Sequence, residues 1–170
     1  MGTRHLVAVQ LDGEYKIAQY GQWDGYPEGQ GATILSFLAT ANLEAFRDKL
    51  RLTKFATEEQ IMDAWVAAGA KRGSEFVSLD VCEKLQGLHP ELSRNTGANV
   101  LDVVLAAPDP GALVLQNHID FAQDSLFCEY AYVIDLDAGQ FEFYTGFNED
   151  EVTEGRFASP KESGHDKGYG

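Results

Sequence analysis

Basic residues are scarce in this sequence of 170 residues. Thirteen Lys and Arg stand against 27 Asp and Glu, so the formal net charge is −14 at pH 7. Because this charge repels nucleic-acid phosphates, we expect no direct binding to nucleic acid. The same charge is typical of a soluble protein, or of one that docks on a basic protein partner.

Long hydrophobic runs and paired cysteines are also missing. No stretch approaches the roughly 20 apolar residues that a membrane helix needs, so we expect no membrane insertion. The first residues do not form a signal-peptide pattern, which favours a cytoplasmic location. Cys82 and Cys128 lack paired spacing and are predicted to be reduced core residues. We therefore expect neither a metal site nor a cofactor.

Glycine and aromatic residues are abundant in residues 19–31, which read QYGQWDGYPEGQG. The glycines and the proline make a core strand unfavourable. The three aromatic side chains make an ordinary exposed turn unfavourable, since large apolar rings are costly to leave in water. We interpret this segment as a shaped loop that contributes to a functional site.

Two apolar segments flank the dipeptide Asp12-Gly13, which is the strongest short hairpin signal in a sequence. The sequence therefore predicts an N-terminal β-hairpin with a two-residue turn. Such a hairpin brings the first residues of the chain beside the aromatic loop. An unbroken register pairs Leu11 with Glu14, Ala8 with Ile17, His5 with Tyr20 and Thr3 with Gln22.

The middle of the chain is predicted to be helical. Thr57 begins a capping-box pattern, and Asn42 and Ser78 are plausible N-cap residues. Apolar spacing predicts helices over about 31–39, 42–50, 57–69, 78–86 and 97–106.

Strands return after the helices. Ala112 to Gln116 is predicted as a short buried strand, and residues 128–137 and 140–145 as a second hairpin. The predicted fold class is α+β, with an antiparallel sheet from the N-terminal and C-terminal hairpins packed with a helical middle. Residues 1–147 are predicted to form a single domain, and residues 148–170 an acidic, glycine-rich mobile tail.

Several short motifs resemble those of a family of small proteins from tailed phages, bacteria and filamentous fungi. The resemblance covers most of residues 2–147, and no activity is assigned to that family. It implies a phage-type accessory or counter-defence role, and no catalytic residue. The matching motifs are Gly2-Thr3-Arg4, Tyr20 with Asp24-Gly25-Tyr26-Pro27 and Gly29-Gln30-Gly31, and the run from Asp124 to Asp137 (DSLFCEYAYVIDLD).

A looser likeness is to N-terminal-nucleophile hydrolases, in which a Cys, Ser or Thr at the mature N-terminus begins a strand. Thr3 beside Asp24 is similar to that layout, and it implies a fold of that type with Thr3 as the nucleophile of an amide hydrolase. This chemistry requires removal of Gly2, because a threonine without a free α-amino group lacks its usual base.

Charged and aromatic residues around the loop have two interpretations each. In one interpretation, the Asp24 carboxylate pairs with Arg4 or with a bound ligand. In the other, Asp24 caps its own turn. Arg4 is either a clamp for an anionic ligand or half of a structural ion pair. Tyr20, Trp23 and Tyr26 either stack on a ring of the ligand or hold the loop.

Gly29-Gln30-Gly31 at a helix start offers backbone amides to an anion, although Glu28 could occupy that position itself. His5 is either a satisfied sheet histidine or part of the site. His118 with Asp120 and Asp124 fits no established metal motif, and a structural role is favoured. His89 before Pro90 is interpreted as a capping residue.

The predicted function is binding of a small polar, ring-bearing ligand, such as a nucleotide or a nucleotide-derived signal. Two alternatives are an acidic inhibitor of a basic host enzyme and the amide hydrolase that uses Thr3. The sequence favours a binding protein over an enzyme. The predicted ligand-binding residues are Arg4, His5, Tyr20, Gln22, Trp23, Asp24, Tyr26 and Gln30.

Overall fold

The computed structural model describes residues 2–74, 76–123 and 127–146. Within these residues the chain forms an α+β fold, as predicted. None of the helices in this part of the chain is long and apolar enough to cross a membrane. The strands are β1 (His5–Leu11), β2 (Glu14–Gly21), β3 (Tyr130–Asp135) and β4 (Gln140–Thr145). The helices are α1 (Ala32–Thr40), α2 (Leu43–Leu52), α3 (Glu58–Ala67), α4 (Leu79–Leu88) and α5 (Val100–Ala106).

The four strands form one mixed sheet in the order β2-β1-β3-β4. Each hairpin is antiparallel, as predicted, but β1 and β3 pair in parallel, from His5 with Tyr130 to Gln10 with Asp135. The prediction of a purely antiparallel sheet was therefore wrong. The two hairpins join through their first strands, which run in the same direction because the helical middle carries the chain back across the sheet.

The N-terminal hairpin has the predicted turn but a different register. Asp12 and Gly13 have φ angles of 56° and 76°, the left-handed pair that a two-residue hairpin turn requires. Leu11 pairs with Glu14, as predicted.

A register shift between Val9 and Gln10 then moves every later pair by one residue. Val9 pairs with Ile17, while Gln10 pairs with Tyr15. The predicted pairs of Ala8 with Ile17 and of His5 with Tyr20 were wrong. Ala8 instead faces Ala18, and His5 faces Gly21.

Local capping signals were predicted correctly. Thr57 and Gln60 form the reciprocal capping box at the start of α3. The side chains of Asn42 and Ser78 accept hydrogen bonds from backbone amides at the starts of α2 and α4. Helix α4 continues through Gly87 to Leu88, beyond the predicted stop.

The strand predicted from Ala112 to Gln116 does not form. Pro110–Ala112 is a 3-10 turn, and Leu115 makes an isolated bridge to Phe55. Phe55 lies between α2 and α3, so this segment has too little extended partner backbone to build a ladder.

The two faces of the sheet bury different residues. One face packs on α1, α2 and α5 through a cluster that includes Val7, Val9, Ile17, Tyr132 and Ile134. The other face carries a smaller cluster that is covered by the 3-10 segment Ile119–Gln123. Side chains alternate along a strand, so odd-numbered residues of β1 face the helices and even-numbered residues face the smaller cluster.

The two cysteines differ in burial, and both are free thiols. Cys128 is buried in the smaller cluster, as predicted. Cys82 is partly exposed, so its assignment to the core was wrong. The predicted tail at 148–170 lies outside the described residues, as do Asp124, Ser125 and Leu126 of the second motif.

Candidate functional site

The register shift in the hairpin divides the predicted site between two faces of the sheet. His5 lies on the helical face, two residues before Val7. Tyr20 pairs with Leu6 and its ring contacts Phe121 on the opposite face, with ring centroids 5.0 Å apart. The predicted residues therefore do not line a single pocket.

His5 is enclosed by glycines on the helical face. Its side chain is fully buried, and Nδ1 lies 3.3 Å from the carbonyl oxygen of Thr3. A Cβ atom added to Gly21 would lie 2.2 Å from Cε1 of His5, and one added to Gly25 would lie 2.6 Å from the Thr3 oxygen. The imidazole thus fills the space that these two glycines leave.

The enclosure keeps His5 neutral. Burial lowers the pKa of His5 to about 4, although the Thr3 carbonyl and the charge of Asp24 act in the opposite direction. Nε2 is buried with no hydrogen-bond partner among the described residues. The ring therefore supports the loop from beneath and does not reach solvent.

Backbone contacts fix the shape of the loop at Asp24 and Gly25. Asp24 has a φ of 55°, and its carbonyl accepts a hydrogen bond of 2.8 Å from the amide of Gln30. The amide of Gly25 donates to the Thr3 carbonyl at 3.1 Å, and the Tyr132 hydroxyl donates to the Gly25 carbonyl at 2.6 Å. Burial raises the pKa of Tyr132, so this hydroxyl remains a donor.

Gln30 uses both ends of its amide to hold the loop. Nε2 donates to the Trp23 carbonyl at 3.0 Å, and Oε1 accepts from the Ala98 amide at 2.8 Å. Gly97, with a φ of 55°, packs against this side chain so closely that an added Cβ would lie 2.8 Å from it. Gln30 is therefore a bridge between the loop and the residues before α5.

An acidic cleft of about 640 Å³ lies between the loop, α1 and α5. Asp24, Glu28 and Asp102 contribute carboxylates to its lining, and Arg4 does not line it. Among the described residues, Arg4 and Asp24 form no ion pair, so the predicted pairing between them is absent. The remaining lining is Gly29, Gln30, Ala32, Thr33, Ser36, Phe37, Thr40 and Asn99.

A second group of predicted residues meets on the opposite face. The Tyr20 hydroxyl donates a 2.5 Å hydrogen bond to Oε1 of Gln22. The guanidinium carbon of Arg4 lies 5.2 Å from the ring centre of Phe127, a cation–π distance. The backbone of Arg4 is fixed beside β3, since its amide donates to Oε2 of Glu129 at 2.7 Å.

Residues 93–95 line the edge of the sheet next to this group. The amide of Gln22 donates to the carbonyl of Arg94 at 2.9 Å. The indole nitrogen of Trp23 donates to Oδ1 of Asn95 at 2.7 Å. We call the combined surface of Arg4, Tyr20, Gln22, Trp23, Arg94, Asn95 and Phe127 the arginine surface.

Two positive charges act on Tyr20 at this surface. Burial raises the pKa of the Tyr20 phenol, while the charges of Arg4 and Arg94 lower it. Within the part of the chain that the structure describes, neither guanidinium takes part in an ion pair. Both therefore remain able to bind an anion.

The three aromatic rings of the loop do not form one wall. Trp23 is 44% exposed beside Asn95. Tyr26 is 52% exposed and lies 6.1 Å from Tyr130, which in turn stacks on Phe143. Because Tyr130 packs against the helical-face cluster, Tyr26 belongs to a different side of the loop from Tyr20.

Thr3 is buried at its predicted position beside the loop. It is 7% exposed, and a Cβ added to the preceding Gly2 would lie 2.1 Å from the Gln22 carbonyl oxygen. Because Thr3 is buried, its hydroxyl has little access to a substrate.

His118 has a structural environment. Its Nδ1 accepts from the Tyr20 amide at 3.4 Å, and burial lowers its pKa. Asp124 lies outside the described residues. Across the described ranges, no group of three or more His, Cys, Asp or Glu side chains could hold a metal ion.

Sequence reasoning missed Arg94, Asn95 and Tyr132. Each contacts the loop from a segment far along the chain, and Arg94 and Asn95 belong to no recognisable motif. The Trp23 and Asn95 side chains, for example, are 72 residues apart in the sequence. Neither a protein-family model, nor a curated protein, nor a solved structure matches this chain.

Proposed function

We propose that the protein binds a small anionic, ring-bearing ligand, such as a nucleotide, at the arginine surface. The observation that carries the proposal is the pair of guanidinium groups, Arg4 and Arg94, that both act on Tyr20 without an ion-pair partner among the described residues. A guanidinium group binds phosphate or carboxylate through two parallel hydrogen bonds.

The overall charge makes this arrangement notable. The chain has 27 acids and only thirteen Lys and Arg. Arg51 pairs with Asp12 and Asp48, and Arg72 pairs with Asp63, whereas Arg4, Arg47 and Arg94 have no ion-pair partner among the described residues. Two unpaired guanidinium groups at one place therefore favour an external anion.

Exposed rings beside the arginines suit a planar part of the ligand. Trp23 is 44% exposed and Phe127 is 48% exposed. The hydrogen bond from the Trp23 indole to Asn95 holds the ring in place before a ligand arrives. A ring that is already fixed loses little conformational entropy when a base stacks on it.

The predicted site residues take different roles in this proposal. Arg4, Tyr20, Gln22 and Trp23 contact the ligand, and Arg94, Asn95 and Phe127 join them. His5 and Gln30 support the loop, since both side chains are enclosed or bridged. Asp24 faces the acidic cleft, where neighbouring carboxylates would repel a phosphate.

Isothermal titration calorimetry with adenosine monophosphate (AMP) tests the proposal, with adenosine and inorganic phosphate as half-ligand probes. We expect AMP to bind more tightly than either probe, and its affinity to fall as salt is added. Arg4→Gln should weaken the binding of AMP but not that of adenosine. Trp23→Ala should weaken the binding of both molecules alike. Equal heats from AMP and buffer at every salt concentration would refute nucleotide binding.

The acidic cleft supports a second candidate function, docking of a basic protein. Asp24, Glu28 and Asp102 line this cleft, and its lining includes no Lys or Arg among the described residues. A lysine or arginine side chain of a partner would find carboxylates and hydroxyls there. Binding that is lost in Asp102→Asn and retained in Arg94→Gln would favour this function over nucleotide binding.

A further inference from the structure

A buried carboxylate holds a histidine at the opening of two clefts on the helical side of the molecule. Glu91 is 3% exposed, and its Oε2 accepts a 2.9 Å hydrogen bond from the Val114 amide. The same oxygen lies 3.5 Å from Nδ1 of His89, whose side chain is 28% exposed. The predicted capping role of His89 was wrong, because its side chain makes no capping hydrogen bond and lies against Glu91 instead.

This carboxylate fixes which nitrogen of His89 carries the proton. A carboxylate accepts hydrogen bonds and cannot donate them, so Nδ1 is the protonated nitrogen in the neutral ring. Nε2 is then the nitrogen that can act on a ligand. A buried acid that orients a partly exposed imidazole is a recurring arrangement in binding and catalytic sites.

The smaller of the two clefts that His89 lines has a volume of about 370 Å³. Its walls come from α3 and from residues 111–114. The hydrogen bond from the Ala56 amide to the Leu115 carbonyl holds these two segments together. The floor is apolar and small, with Ala56, Ala64, Ala67, Ala112, Leu113 and Val114. None of the residues of the arginine surface lines it.

The lining of this cleft contains one ammonium group and one carboxylate. Lys54 and Asp63 line it, and Asp63 is already paired with Arg72 at 2.5 Å. Lys54 has no ion-pair partner among residues 2–74, 76–123 and 127–146. An ammonium group and an oriented imidazole over an apolar floor match a small molecule that has one carboxylate and a short hydrocarbon chain.

We infer that this cleft is a second ligand site, which takes a small monocarboxylate with its anionic group between Lys54 and His89 and its hydrocarbon chain on the alanine floor. When the His89 ring carries both protons, its Nε2 donates to the ligand carboxylate. Glu91 is a positioning residue that keeps Nδ1 directed away from the ligand. The site is independent of the nucleotide proposal.

Titration of the full-length protein with sodium butyrate, followed by amide and imidazole ¹⁵N NMR, tests this inference. Sodium chloride at matched ionic strength and butan-1-ol are the control additives. We expect saturable shifts of the Lys54, Ala64 and Val114 amides and of His89 Nε2, with a Kd on the order of 1 mM. Butan-1-ol lacks the charge and should bind roughly tenfold more weakly.

Matched variants separate the site from a general salt effect. Lys54→Met should weaken butyrate binding roughly tenfold. Lys71→Met removes another exposed lysine and should leave the affinity unchanged. Glu91→Gln keeps an acceptor for the Val114 amide and should broaden the distribution of the proton between the two nitrogens of His89. Absent or non-saturable shifts, equal binding of butan-1-ol, or an effect of Lys71→Met equal to that of Lys54→Met would each overturn the inference.

Discussion

The amide nitrogen of Gln22 donates a 2.9 Å hydrogen bond to the carbonyl oxygen of Arg94. This bond joins the end of the N-terminal hairpin to the segment before α5 and brings a second arginine to Tyr20. Because the backbone of Arg94 makes the contact, its side chain remains available for a ligand. The arginine surface is therefore a product of the tertiary fold.

Replacing Arg94 should separate ligand binding from stability. Arg94→Gln removes the guanidinium group but keeps the carbonyl that Gln22 uses. We expect AMP affinity by calorimetry to fall roughly tenfold or more, since an arginine–phosphate contact contributes about 1.5–3 kcal/mol. The free energy of unfolding should change by less than about 0.5 kcal/mol.

Arg72→Gln is the matched control for Arg94→Gln. Arg72 is also exposed, and its removal changes the net charge by the same amount. If both variants weaken AMP equally, the effect comes from overall charge, and the arginine surface has no special role.

Gly21 should tolerate no side chain. A Cβ in Gly21→Ala would lie 2.2 Å from Cε1 of the buried His5 ring, which has no free space to move into. We expect the free energy of unfolding, measured with urea, to fall by about 1–3 kcal/mol, as is typical of overpacked cores.

Gly87→Ala is the control substitution for Gly21→Ala. An added Cβ at Gly87 meets no atom within 4 Å, and the residue lies inside α4. Alanine favours a helix over glycine, so this variant should gain up to about 1 kcal/mol. A loss at Gly87 as large as that at Gly21 would contradict the account of the His5 enclosure.

The titration of His5 should make the free energy of unfolding fall as the pH is lowered. The pKa of His5 is about 4 in the folded protein and 6.5 in its ordinary state, so the unfolded chain binds more protons between these values. The contribution is fully present above pH 6.5 and is lost as the pH falls toward 4, by roughly 3 kcal/mol. Urea unfolding across this range measures it.

His5→Leu removes the titrating ring and should flatten this part of the pH profile. Burial also lowers the pKa of His118, so a smaller dependence of the same sign should remain in the variant. Parallel profiles for the wild-type protein and His5→Leu would show that His5 is not the source of the acid sensitivity.

Gln30 should matter for stability and little for ligand affinity. Gln30→Met leaves the Trp23 carbonyl and the Ala98 amide without their partner, at a cost of about 1–3 kcal/mol. Gln140→Met, an exposed change at the start of β4, should be nearly neutral. If the folded Gln30→Met protein loses as much AMP affinity as Arg94→Gln does, then Gln30 contacts the ligand.

Features of the fold that depend on neighbouring residues were predictable from the sequence. The Asp12-Gly13 turn and the capping box of Thr57 need only a few adjacent residues to be recognised. The register shift between Val9 and Gln10 has no such local signature. Since one residue of slip reverses the face of every side chain, this single irregularity separated His5 from Tyr20.

Long-range pairing accounts for the other differences. The sequence identifies both hairpins, but the parallel contact of β1 with β3 depends on how the helical middle crosses the sheet. Half of the candidate site could not be predicted for the same reason, because it depends on long-range contacts. Trp23 and Gln22 were identified from their own loop, whereas their partners Asn95 and Arg94 come from a segment whose residues suggest no function by themselves.

Native mass spectrometry of the purified full-length protein tests the central claim most directly. We predict a bound small molecule, or retention of added AMP, in the wild-type protein and in Arg72→Gln. The double variant Arg4→Gln with Arg94→Gln should lose it while keeping its folded charge-state distribution. A wild-type protein that retains no nucleotide, or a double variant that retains as much as the wild type, would contradict the claim that the two arginines form an anion site.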